Sequence, residues 1–149
     1  MSYLVLARKW RPKLFNEVVG QQHVVQALQN SILNKKINQA YIFNGTRGVG
    51  KTSIARILTK VLNCKIPKNG EPCNECDQCL AMNENSLLDF QEIDAASRRS
   101  REETMNLLET VPYLPTSSKY KVYLIDEVHM LTKESFNALL KTLEEPPPH

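Results

Sequence analysis

The sequence predicts an α/β domain with a mostly parallel sheet flanked by helices, and a small metal-binding module inserted into it. Three observations carry that prediction. Short apolar runs suited to strands alternate along the chain with longer stretches of helical periodicity. A glycine-rich turn, "GTRGVGKT" at 45–52, lies between one such run and one such helix. All four cysteines fall within 64–79, directly after that helix.

The elements follow in order. "FNEVVGQQHVVQALQNSILNKK" (15–36) holds a turn glycine, then Val24 or Val25, Leu28 and Ile32 at helical spacing. "AYIFN" (40–44) predicts a first buried strand, ended by Gly45. The next helix places Ile54, Ile57, Leu58, Val61 and Leu62 on one face. "FQEIDA" (90–95) predicts a second strand. Ser100 with Glu103 forms a capping box, and Leu107, Leu108 and Val111 continue that helix. "KYKVYLIDE" (119–127) predicts a third strand, with an apolar run suited to burial on both faces. Thr132 caps a last helix with Phe136, Leu139, Leu140 and Leu143 in one stripe, and "PPPH" stops it.

The chain has 149 residues and a formal net charge of +3. That length supports one domain with a core. The mild charge permits a nucleic-acid partner without requiring one. On charge alone, "ARKWRPK" (7–13) and "SRRSR" (97–101) read as solvated surface segments. No apolar run is long enough to span a bilayer, so no membrane association is expected. The first residues lack the pattern of a secretion signal, so a cytoplasmic location is the default expectation. There thiols stay reduced, and clustered cysteines are expected to serve as metal ligands.

"GTRGVGKT" fits G-x-x-x-x-G-K-[ST] after a predicted strand and before a predicted helix, the context that a phosphate-binding loop needs. Gly45, Gly48 and Gly50 let the backbone turn tightly and approach phosphates without Cβ clashes. The loop amides of Gly45, Thr46, Arg47, Gly48, Val49 and Gly50, with the first helical residues Lys51, Thr52 and Ser53, then face the anion. Lys51 reaches the β and γ phosphates as a point charge, and the Thr52 hydroxyl ligates magnesium. A nucleotide and magnesium are the expected ligands.

"VYLIDEVH" (122–129) ends a strand with two acids. Ligands of open parallel sheets bind at the carboxyl ends of strands. Asp126 is therefore expected beside the phosphate loop, holding magnesium or its water shell. Glu127 is the candidate to polarise the attacking water. His129 reads as a structural residue on the turn that follows.

Cys64, Cys73, Cys76 and Cys79 have the spacing C-x8-C-x2-C-x2-C. Two consecutive x2 steps bring three thiolates into a tight turn, and Lys68, Asn69 and Gly70 give the loop room to return to Cys64. Four thiolates complete a tetrahedral zinc ion and leave no open position, so the site is expected to be structural. The intervening residues are mostly polar, and Pro67 and Pro72 break helix, so zinc would supply the folding energy that the loop lacks.

With "LARKWRPKLFNEVVGQ" at 6–21, these features closely resemble the ATPase domain of the tau/gamma subunit family of the bacterial DNA polymerase III clamp loader, within the AAA+ ATPases. The resemblance runs from Met1 to His149 through "GTRGVGKTSIARILTKVLNC", "EIDAASR" and "VYLIDEVHMLTKESFNALLKTLEEPP". It implies a P-loop NTPase fold and a subunit of a pentameric assembly. Such a motor binds ATP, opens a ring-shaped sliding clamp and closes it around primed DNA. The resemblance also implies that Arg11, Val18 and Val19 lie near the adenine. The zinc module, 64–79, would be a surface insertion away from the nucleotide, serving contacts within the assembly.

The family continues past the proline run into a strand carrying a polar sensor, a Ser-Arg-Cys motif, a helical lid and a collar. Residues 1–149 are accordingly expected to be part of the AAA+ domain, marginally stable and inactive alone. The missing strand would lie between the first and third strands predicted here. The chain shows no acidic pair in a polymerase setting, so nucleotidyl transfer is not assigned to it. Two other readings compete: a different P-loop DNA motor such as a DExH-type helicase, and a zinc-stabilised interaction module with a degenerate nucleotide site.

Overall fold

The structure is a computed structural model that describes residues 11–44, 50–97 and 100–149, with Ser100 and Arg101 described in their backbone only. The chain forms two units. The first comprises Met1–Ile37 and Ile42–Ser86, and the second Asn38–Tyr41 and Leu87–His149.

In the first unit a single 3-10 turn, Phe15–Glu17, precedes helix α1, Gln22–Leu33. Gly20 makes the turn between them with φ +82°, a conformation that a side chain would strain. Val25 and Leu28 are the buried residues of α1, one turn apart as the periodicity requires. Helix α2, Lys51–Asn63, follows Gly50. It is the centre of this unit: Ile54 through Val61 are all buried, including Arg56, Thr59 and Lys60. The one-faced stripe in the sequence understates that burial, because three polar side chains inside it find partners. Arg56 donates to the carbonyl of Met82 at 3.1 Å and to the amide oxygen of Asn85. Thr59 donates to the Ala55 carbonyl at 2.9 Å. A short helix α3, Asp77–Asn83, then packs against α2 with Cys79 and Met82 buried.

The second unit is a β-α-β-α arrangement. Strands β1, Phe90–Asp94, and β2, Val122–Asp126, pair in parallel with Phe90 opposite Val122 and Asp94 opposite Asp126. Helix α4, Ser100–Thr110, connects them and packs on β1. The capping box expected at Ser100 depends on a side chain outside the described residues. Helix α5, Lys133–Glu144, packs against α4. Its cap is the expected one, with the Thr132 hydroxyl accepting from the Ser135 amide at 3.2 Å. This unit is a small parallel sheet flanked by helices, within a mixed α/β chain.

Three elements depart from expectation. Residues 40–44 form no strand, and Ile42 is 91 % exposed. An apolar run becomes a strand only through a ladder with a neighbour, and the described sheet contains β1 and β2 alone. The apolar residues of β2, Val122–Ile125, are half-buried rather than buried on both faces, since β2 has one ladder partner among the described strands. The apolar stripe of α5 is likewise only partly covered. Phe136 is 44 % and Leu140 40 % exposed, whereas the small Ser135 is fully buried.

Candidate metal and nucleotide sites

The four cysteines come together at the junction of two helices. Cys64 caps the C-terminus of α2, Cys76 caps the N-terminus of α3, and Cys79 lies in the first turn of α3. Cys73 is delivered by a hairpin turn. Lys68 and Glu71 exchange backbone hydrogen bonds of 3.0 and 2.9 Å. Between them Asn69 and Gly70 have φ of 53° and 74°. Two consecutive positive φ values are what a type I′ turn demands, and Asn-Gly is its favoured pair.

The sulfur atoms all lie within 4.8 Å of one another. Cys73 Sγ is 3.9 Å from Cys79 Sγ, and Cys76 Sγ is 4.0 Å from Cys64 Sγ. A tetrahedral ion held by thiolates at about 2.3 Å has sulfur–sulfur edges of about 3.8 Å, so the cluster fits a metal. It does not fit disulfides, whose sulfurs stand about 2 Å apart. Backbone amides already point at the sulfurs. The Cys73 amide donates to Cys64 Sγ at 3.4 Å, and the amides of Glu75 and Cys76 donate to Cys73 Sγ at 3.3 and 3.2 Å. Burial pushes the Cys64 and Cys79 thiols up. Burial acts the same way on Cys76, but hydrogen bonds from neighbouring backbone and thiol groups outweigh it and bring Cys76 down to about 6. The group can therefore hold a metal ion in a closed, four-sulfur shell.

Polar side chains tie this loop to the rest of its unit. The Lys60 ammonium is buried and donates to the Lys13 carbonyl at 2.7 Å, Asn74 Oδ1 at 2.7 Å and Asn83 Oδ1 at 3.0 Å. Three acceptors match the three donors of an ammonium, while burial pulls its pKa down to about 8. The Glu71 carboxylate accepts from the Phe15 amide and from Gln29 Nε2. Its burial raises its pKa, and these hydrogen bonds oppose the rise.

Of the phosphate-loop residues, Gly45, Thr46, Arg47, Gly48 and Val49 lie outside the described residues. Gly50 is described, and its φ of +83° is one that glycine adopts without strain. The helix begins at the next residue, so Lys51, Thr52 and Ser53 form the first turn of α2, all half-buried. Val18 is 8 % and Val19 90 % exposed. Val18 faces Gly50: its Cγ1 lies 3.9 Å from where a Cβ on Gly50 would stand. Arg11 is half-buried.

Asp126 and Glu127 belong to the second unit, at the carboxyl end of β2. The Glu127 amide donates to Asp126 Oδ1 at 3.0 Å. Glu127 has φ +55°, a left-handed conformation uncommon for a side chain of this size. His129 Nε2 lies 3.4 Å from Glu127 Oε2, with the histidine side chain 70 % exposed. His129 thus sits on the turn that follows the strand, Val128–Met130, as a surface partner of Glu127.

Three features of these sites are faint or absent in the local sequence pattern. Helix α3 was hidden by the polar, proline-bearing character of its surroundings, although Asp77 at its start and Cys79 and Met82 three apart mark it. The Asn69-Gly70 pair signalled the hairpin. Glu71 and Lys60 gave no local signal, because their partners are distant in sequence.

Among the described residues no helix is long and apolar enough to cross a membrane. A family model described as "DNA polymerase III, delta subunit" matches residues 20–149. The chain is 58 % identical over 147 residues to the "DNA polymerase III subunit tau/gamma" of Haemophilus influenzae, covering 99 % of this chain and 21 % of that protein. It is 58 % identical over 149 residues to the "DNA polymerase III subunit tau" of Escherichia coli, covering 100 % of this chain and 23 % of that one. For the Bacillus subtilis "DNA polymerase III subunit tau" the identity is 51 % over 149 residues, covering 100 % of this chain and 26 % of the relative. The chain thus spans about a quarter or less of the length of these relatives. It belongs to the family described as DNA polymerase III, delta subunit, and its likeness within that family is to the tau and gamma subunits.

Proposed function

We propose that this chain is part of the ATP-binding and ATP-hydrolysing AAA+ domain of a cytoplasmic clamp-loader subunit in DNA replication. Its work would be to drive loading of a sliding clamp onto primed DNA, together with other subunits of a pentameric assembly. The observation that carries the reading is the start of α2. A helix opens directly at the phosphate-loop signature, with Gly50 in the left-handed conformation and Lys51 and Thr52 in the first turn. That geometry turns the start of a helix, with the positive end of its dipole, toward an anion.

In this proposal Lys51 contacts the β and γ phosphates, and Thr52 and Asp126 hold magnesium. Glu127 orients the attacking water. Residues 45–53 cradle the phosphates, and Arg11, Val18 and Val19 border the adenine. The cysteine cluster holds zinc, and residues 64–79 are an insertion within the domain.

The test separates binding from turnover in the full-length protein. Lys51→Ala is expected to weaken ATP binding strongly, because the phosphates lose a fixed cation. Glu127→Gln is expected to keep binding and to lose about 100-fold or more in turnover, as for a missing general base. Equal loss of ATP affinity in both variants would refute the division of roles.

A further inference from the structure

The cysteine loop is bound to the segment 13–18 by two independent grips. The Glu71 carboxylate accepts the Phe15 amide through both oxygens, at 2.9 and 3.0 Å. The Lys13 carbonyl accepts from Lys60 Nζ at 2.7 Å and from Asn74 Nδ2 at 3.3 Å. Glu71 and Asn74 flank Cys73 in sequence. Glu71 is held in turn from α1, where Gln29 Nε2 donates to it at 2.9 Å. The adjacent Gly70 lies so close to Gln29 that a Cβ there would meet its side chain at 3.3 Å.

The gripped segment leads to Gly50. Phe15 is fully buried, and three residues later Val18 is buried against Gly50, the residue before Lys51. Segment 13–18 is a lone 3-10 turn with flanking extended residues; the Val18 amide closes that turn on the Phe15 carbonyl at 3.1 Å, so the hold on Phe15 decides where Val18 sits. A carboxylate taking a backbone amide is a strong, directional hold.

We propose that Glu71 is a positioning residue for the nucleotide site: it fixes segment 13–18 so that Val18 closes on Gly50, and it thereby links the cysteine centre to nucleotide affinity. The inference rests on the ATP-binding reading above and deepens it. The cysteine loop then has a task inside its own unit, besides any contact with other subunits.

The experiment uses the full-length protein and measures affinity for a fluorescent ATP analogue, metal content and thermal unfolding together. Glu71→Ala is expected to lose about tenfold in affinity, as for one charge-assisted hydrogen bond, while keeping its metal. Glu71→Gln retains a carbonyl acceptor for the Phe15 amide and is expected to restore affinity to within about threefold. Gln29→Ala, which removes the hydrogen bond that Glu71 receives from α1, is expected to weaken binding by about two- to threefold.

A Glu71→Ala protein that unfolds more easily but binds the analogue as tightly as the unsubstituted protein would overturn the inference, leaving Glu71 a stabilising residue only. If Glu71→Ala does not fold, unchanged affinity in Gln29→Ala overturns it. Failure of the unsubstituted protein to bind the analogue would overturn the ATP-binding reading and the inference together. Binding that is lost in Lys51→Ala but untouched in Glu71→Ala and Gln29→Ala would overturn the inference alone.

Discussion

Val18 Cγ1 lies 3.9 Å from the position that a Cβ would take on Gly50, which is an ordinary van der Waals separation. Space therefore does not demand glycine at position 50; the backbone does, with φ +83°. Gly50→Ala is expected to destabilise the protein by roughly 1–2 kcal/mol, the cost of a left-handed conformation for a residue with a Cβ. Denaturant unfolding measures it. Stability equal to the unsubstituted protein would mean that this turn relaxes to a different conformation.

Cys73 Sγ and Cys79 Sγ, 3.9 Å apart, should share one metal ion with Cys64 and Cys76. Metal analysis of protein prepared with zinc available should find one zinc per chain. Cys79→Ser should lose most of it, since Cys79 is fully buried and nothing from solvent replaces its thiolate. Chelation should lower the unfolding temperature, because metal binding energy is folding energy here. Two disulfides in freshly purified protein, or a metal-free protein of unchanged stability, would contradict the assignment.

Asp89 carries a pH dependence with a definite sign. It is buried, and its carboxylate accepts the amides of Thr116, Ser117 and Ser118 at 2.7, 2.8 and 2.9 Å. Burial alone would raise its pKa, but these amides outweigh burial and set it below the usual carboxylate value. An unfolded aspartate titrates near about 3.9. The folded protein thus holds its proton more weakly than the unfolded chain. Asp89 stabilises fully above about pH 4, and that contribution is lost as pH falls through the lower folded value. Asp89→Asn should cost about 1.5–3 kcal/mol at neutral pH. It should also flatten the acid limb of the stability curve. An acid limb identical in both proteins would remove Asp89 as its source.

Glu127 holds φ +55° without being glycine, so part of its backbone energy is stored strain. Glu127→Gly should leave stability unchanged or raise it by up to about 1 kcal/mol, while turnover is lost. A loss of about 2 kcal/mol or more would show that its contacts, including the one to His129, outweigh the strain.

The helices at 22–33 and 51–63, the strands ending at Asp94 and Asp126 and the cap at Thr132 were legible, because each is written in local periodicity or in one capping residue. The clustering of the cysteines was legible from their spacing. Residues 40–44 were misread because strand formation belongs to a pair of segments, while the sequence shows only one of them at a time. The grip of Glu71 on Phe15 spans 56 positions of sequence, and a contact of that range leaves no periodic trace. The opposite fates of Val18 and Val19, one buried and one exposed, are set by the turn that presents them, since both residue types are equally apolar.

The proposal that Lys51 and Glu127 power the loading of a clamp has a direct test. The most direct measurement is ATP hydrolysis by the reconstituted assembly containing the full-length protein, with primed DNA, before and after addition of the sliding clamp. Primed DNA is expected to raise hydrolysis, the clamp to raise it further, and Lys51→Ala to abolish both effects. Hydrolysis stimulated by DNA but indifferent to the clamp would point instead to a helicase-like motor, and absence of hydrolysis to a zinc-stabilised interaction module; either result would contradict a clamp-loading role.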